Sequence, residues 1–186
     1  MRSIAIVALL ALLIMPCIAV TDSVTTGPYK ISFDLGMPKE AYTVEVTSPK
    51  TSESLSGVVS TDYVVTMTNK TANEVGLGNR VTLLLNSYEG DHTVYDQNDL
   101  VQAVKYLISG LDYTYDIQAA ERKIDNSYGS IASGKSRANI VTTDAYVAKY
   151  YPSSTTDMTI FSTYPWDEGT LSLLKTIHVE KINATT

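Results

Sequence analysis

The chain of 186 residues has a single cysteine, two histidines, two phenylalanines and one tryptophan, and each scarcity removes a class of chemistry. One cysteine, Cys17, cannot close an intramolecular disulfide or build a thiolate zinc site. Two histidines, His92 and His178, fall short of the three or four protein ligands that zinc takes, unless carboxylates converge with them through the fold. Basic residues are also short: 14 Lys and Arg stand against 20 Asp and Glu, with no cationic cluster. A phosphate backbone is bound by clustered Lys and Arg, so nucleic acid is not an expected partner. Motifs of nucleophilic catalysis are missing as well. No Gly-x-Ser-x-Gly occurs, and neither histidine sits in a recognisable catalytic pattern.

What is present begins with a leader. Arg2 supplies a positive start, Ile4 to Ile14 is an almost unbroken apolar run, and Pro16-Cys17-Ile18-Ala19 closes it with a helix breaker and a small residue. This is the three-part pattern of a secretory signal peptide, with cleavage expected after Ala19. The apolar run is short of the roughly 20 residues of a membrane span, so an uncleaved anchor is the lesser reading. Lipidation at Cys17 is disfavoured because Ile14-Met15-Pro16 stands where a lipobox carries a small residue. Cleavage removes Arg2 and Cys17, leaving 13 basic against 20 acidic residues and a mature domain without sulfur nucleophile. Two Asn-x-Thr sequons, at Asn69 and Asn183, suit glycosylation of an exported chain. Thirteen tyrosines point to half-exposed sheets, since the ring is buried while the hydroxyl finds water or a partner.

Along the mature chain, residues 20–27 are polar and aperiodic and read as a flexible lead. Strict alternation follows at Tyr29, Ile31, Phe33 and Leu35, then at Tyr42, Val44 and Val46, and the two runs read as a neighbouring antiparallel pair. Residues 48–57 read as a polar loop. Tyr63, Val65 and Met67 form a third strand, and Val81, Leu83 and Leu85 a fourth that Leu84 marks as central. Asp96 then stands at a helix N-cap, with Leu100, Val101, Val104, Leu107 and Ile108 on one face and Gly110 at the end, which predicts an amphipathic helix over 96–109. Its polar face, Gln102, Lys105, Tyr106 and Ser109, reads as solvated surface. Residues 117–124 and 128–131 pair across Asp125-Asn126, punctuated by Gly129 and Gly134. Residues 139–151 and 157–164 form a longer hairpin rich in β-branched and aromatic residues, and a terminal helix is expected over 167–178. The order predicts one α+β domain over 28–182, an antiparallel sheet with two helices packed on it, and a short tail at 183–186.

The ending, with AYVAKYY and TDMTIFSTY as a hairpin that feeds straight into GTLSLLKTIHV, resembles the small PsbP-like and DcrB-like exported domains. The resemblance covers the order of elements over most of the mature chain and matches no invariant motif. It implies an antiparallel sheet flanked by helices and an accessory or envelope role without catalysis. No functional residue carries over.

Four stretches bear on chemistry. GSIASGKS, from Gly129 to Ser136, has the letters of a P-loop, but Arg137-Ala138-Asn139 leads into a strand-like IVTT instead of a helix, which reads as chance. Around His92, Asp91, Asp96 and Asp99 could gather oxygens for calcium, although capping and the helix dipole already explain Asp96 and Asp99. Near the C-terminus, Tyr164, Trp166, Asp167 and His178 make the aromatic-and-carboxylate pattern of a ligand site. The structural reading of the same residues is a strand stop at Pro165, an N-cap at Asp167 and a rim histidine, His178, bonded to backbone. A hydrolase would need His92 or His178 beside a hydroxyl nucleophile. Together these readings predict an exported, non-catalytic protein that works through protein binding or structural support at the cell surface or envelope. No cofactor is implied, and the membrane is reached only through an uncleaved leader. The competing class is a small-ligand, glycan or calcium-dependent binder, and a hydrolase of unspecified type is third.

Overall fold

The computed structural model describes residues 21–70, 80–111, 114–138, 141–162 and 167–182. In chain order the strands are β1 (Asp22–Thr26), β2 (Tyr29–Phe33), β3 (Tyr42–Glu53), β4 (Val59–Asn69), β5 (Arg80–Glu89), β6 (Thr114–Ile124), β7 (Ser127–Ala138), β8 (Val141–Ser153), β9 (Thr156–Ser162) and β10 (His178–Lys181). Helix α1 spans Gln97–Ser109, helix α2 spans Asp167–Thr176, and a 3-10 turn covers Lys39–Ala41. All strand pairings are antiparallel. They form a seven-stranded sheet in the order β3-β4-β5-β9-β8-β7-β6 and a three-stranded sheet in the order β1-β2-β10. The expected α+β class holds, although strands dominate and the sheet is divided in two.

The main core lies between the two sheets. Tyr29, Ile31 and Phe33 of β2 face Val65, Met67, Leu83, Leu85, Met158 and Ile160 of the large sheet, and Leu173, Leu174 and Ile177 close the side. Tyr29 meets Tyr63 edge to face at 5.4 Å, and its hydroxyl donates to Ser87 Oγ at 2.8 Å. A smaller cluster sits on the opposite face, where Val104 and Ile108 of α1 cover Ala132, Ala145 and Val147. The alternating apolar residues of β4, β5, β8 and β9 explain this arrangement: successive side chains leave a strand on opposite sides, so one pleated sheet can serve two cores. β5 is central, between β4 and β9, as Leu84 indicated.

Several expectations are corrected. Residues 22–26 are strand β1, not a flexible lead, because its inward positions Asp22 and Thr26 are polar and the run has no apolar alternation to read. Asp22 is satisfied there by Lys39 and Tyr42. β2 and β3 do not pair; the chain crosses from the small sheet to the large one through the 3-10 turn. Most of residues 48–57 continues β3, which pairs with β4 beyond a register shift, and only the tip at 54–58 is a turn. Thr51 bonds Thr61 and Ser52 bonds Ser60 across this ribbon, so polar residues hold a hairpin that an apolar pattern cannot reveal. Gly129 and Gly134 lie within β7 rather than at a turn. The last helix stops at Thr176, and His178 begins β10 on the exposed side of the small sheet.

Other expectations hold. Asp96 Oδ1 accepts from the Asp99 amide at 2.9 Å, and Gly110 terminates α1. The Asp125-Asn126 turn has φ of 48° and 59°, the pair of positive values a two-residue hairpin of type I′ requires. GSIASGKS is continuous strand, so its amides pair with β6 and β8 and cannot cradle a phosphate.

Candidate functional site

β8 and β9 each carry one charged residue in an otherwise uncharged inward row. Lys149 and Asp157 therefore meet on the α1 face of the large sheet, their side chains 9% and 5% exposed, with Nζ 2.6 Å from Oδ1. The carboxylate also accepts from Asn86 Nδ2 at 3.0 Å and from the Tyr88 hydroxyl at 2.7 Å, and Lys149 donates to Thr159 Oγ1 at 3.3 Å. Burying both charges is tolerated because each has several partners. Burial, then the bond to Asp157, pushes the Tyr88 pKa well above its ordinary value, so the phenol stays a donor.

The chain then wraps this cluster with aromatic rings. His92 stacks on Tyr88 with centroids 4.4 Å apart and planes at 16°. The Tyr95 amide donates to the Tyr151 hydroxyl at 3.1 Å, and the Lys149 ammonium lies 6.0 Å from the Tyr151 ring centre. Burial raises the Tyr151 pKa, and the bond from Tyr95 pulls against it. Above the cluster opens a cleft of about 540 Å³, lined by Tyr95, Asp99, Gln102, Tyr106, Leu107 and Lys149. Tyr95 is 46% exposed and Tyr106 79%. Of the charge pair Lys149 lines the cleft, and the rim offers exposed tyrosine rings with an amide and a carboxylate. Stacking and hydrogen bonding are the contacts that these groups can offer.

The second histidine stands on the other side of the sheet. His178 Nδ1 is 2.7 Å from Asp125 Oδ1, and the Val179 amide donates to Asp125 Oδ2 at 3.0 Å. The partner is thus a carboxylate, where the sequence suggested backbone. These residues border a cavity of about 440 Å³ with Arg122, Lys123, Lys175 and Thr176. Its hydroxyl among the described residues is Thr176, whose Oγ1 already accepts from the Asp34 amide and donates to Ser172 O. A His–carboxylate pair is thereby in place without an uncommitted nucleophile beside it.

The remaining sequence candidates are dispersed. Tyr164, Trp166 and Asn183 lie outside the described residues. So does the Asp167 side chain, although its backbone opens α2. Asn69 ends β4. Asp96 is committed to its cap and Asp99 points to the cleft, while Asp91 is exposed. Among the described residues no three His, Cys, Asp or Glu side chains gather as a metal site needs. Lys149, Asp157, Tyr88 and Tyr95 were not singled out by sequence. The available signal was one lysine inside AYVAKYY and one aspartate inside TDMTIF, opposite charges in two strands expected to pair. No protein-family model, curated protein or solved structure matches this chain.

Proposed function

We propose that the chain is an exported, non-catalytic binding protein of the cell surface or envelope, and that its working surface is the tyrosine-lined cleft beside α1. The observation that carries this reading is the exposure of Tyr106 and Tyr95 at a concave site that Lys149, paired with Asp157, also lines. Exposed tyrosine gives a large amphipathic contact area at small entropic cost, and it is enriched where proteins bind proteins. The preferred occupant is a segment of a partner protein. A glycan is the second reading, favoured by Asp99 and Gln102 standing next to free ring faces.

Both readings are tested with one variant pair. Immobilised mature protein and its Tyr95→Ala/Tyr106→Ala form are exposed to detergent-solubilised envelope and, separately, to a glycan array. A partner retained by the wild type and lost by the double variant supports the protein reading, and saturable glycan signal lost in the same way supports the second. Equal retention by both forms, or no retention by either, overturns the assignment to this cleft.

A further inference from the structure

The second cavity carries an inference of its own, on the opposite face of the large sheet from α1. Across β6, β7 and β8, Arg122 stands beside Gly129 and Gly129 beside Tyr150, one row of the pleat. Gly129 is packed so closely there that a β-carbon would lie 2.7 Å from Tyr150 Cβ. Two buried donors of this row lack a protein partner among the described residues, Arg122 Nε and the Tyr150 hydroxyl, and of the two only Arg122 borders the cavity. Asp125 is not their answer. Its oxygens meet His178 Nδ1 and accept from the Val179 amide, and neither Arg122 Nε nor the Tyr150 hydroxyl bonds to them. Buried guanidinium nitrogen is costly to leave unpaired, and its planar fork matches a carboxylate, sulfate or phosphate.

Charge in the same cavity points the same way. Lys123 and Lys175 join Arg122 on its walls, against the one carboxylate, Asp125, among the described residues that line it. The last carbonyls of α2 work against an anion, but the Ile177 amide already donates to Leu173 O and removes one of them. We propose that this cavity binds the oxyanion group of a small molecule, with Arg122 as the fork that engages it and Lys123 and Lys175 supplying long-range attraction. Its volume of about 440 Å³ lies in the range of small-ligand sites, which run from about 300 to 1,000 Å³.

The test is an NMR titration of the ¹⁵N-labelled mature protein with acetate, sulfate and inorganic phosphate, each at constant ionic strength balanced with chloride. Saturable shifts of the Arg122 Nε–H and of the amides at 122–126 and 175–179 are expected for at least one anion, and the tightest of the three names the ligand chemistry. Arg122→Gln should weaken binding at least tenfold and Lys175→Gln about threefold, while Lys105→Gln on α1 should leave it unchanged. If Arg122→Gln does not fold, Arg122→Lys, which keeps charge and loses the fork, should still weaken binding severalfold. Absence of saturation with all three anions overturns the proposal. So does an affinity that is the same in the folded Arg122 variant and the wild type. Neither outcome touches the tyrosine-lined cleft, whose test uses different residues.

Discussion

At the scale of single residues, Lys149 is the side chain on which most depends. Its ammonium is buried, and it neutralises an Asp157 that two further donors hold in place. Removing one member of a buried pair strands the other charge, which costs about 3–5 kcal/mol, whereas replacing both by apolar groups costs far less. Lys149→Met is therefore expected to lose about 3–5 kcal/mol in urea unfolding at neutral pH. Lys149→Met/Asp157→Leu should recover part of that loss. Recovery stays incomplete because Tyr88 and Asn86 then lose their acceptor. A Lys149→Met protein as stable as the wild type would show that the pair is not desolvated. The same logic limits the sequence reading. A lysine within AYVAKYY looks like an interruption of the strand until its partner on the paired strand, Asp157, is known.

At the scale of elements, legibility followed the source of each element's stability. α1 is written in the sequence because its cap, its apolar stripe and its terminal Gly110 are local, and all three stand where the pattern put them. The hairpin at Asp125-Asn126 is local too, since its two positive φ values suit those residues. By contrast β1, the outer half of β3 and β10 take their order from neighbours. Their inward positions are polar, or the strand is too short for a period of two to appear. The pattern carries the helix on to His178 for that reason: LSLLKTIHV keeps a helical period past Thr176, but pairing with β2 takes over at residue 178. The candidate sites show the same division, because a cleft made by α1, β8 and the loop before α1 is a property of the fold and leaves no contiguous motif. β7 supplies an element-level test. Gly129 is held between Tyr150 and the Lys149 carbonyl, where an added β-carbon would meet Cβ at 2.7 Å and the oxygen at 2.8 Å. Gly129→Ala should thus cost about 1–3 kcal/mol by overpacking, measured by thermal or urea unfolding. A nucleotide-loop role would instead leave stability intact. An unchanged melting temperature would refute the packing account of this glycine.

At the scale of the whole molecule, the question is what fastens the small sheet to the large one besides apolar contact. Asp22 belongs to β1 of the small sheet, while Lys39 sits in the 3-10 turn and Tyr42 opens β3 of the large sheet. Both donate to the Asp22 carboxylate, at 2.9 Å each, and the Ser23 amide adds a third bond at 2.8 Å. Burial alone would raise the Asp22 pKa. The bonds from Lys39, Ser23 and Tyr42 outweigh it, and the carboxyl is held below its ordinary value. A carboxyl whose pKa is depressed on folding contributes stability that is complete above its unfolded value, about 3.9, and that disappears as pH falls through the lower folded value. Tyr42 obeys the opposite sign. Burial, then the bond to Asp22, raises its pKa, so its share is present below about pH 10 and is lost only as pH climbs beyond that. The clasp between the sheets is consequently closed across the neutral range and opens at both extremes. Asp22→Asn should lower unfolding free energy at pH 7 by about 1.5–3 kcal/mol, the worth of hydrogen bonds to a charged group. The gap between variant and wild type should narrow steadily as pH falls below about 4, because the wild type then loses the charge that the variant never had. A gap that stays constant from pH 7 down to pH 2, followed by urea unfolding at each pH, would mean that Asp22 acts by shape alone and that the sheets are joined by their apolar faces without the ionic clasp.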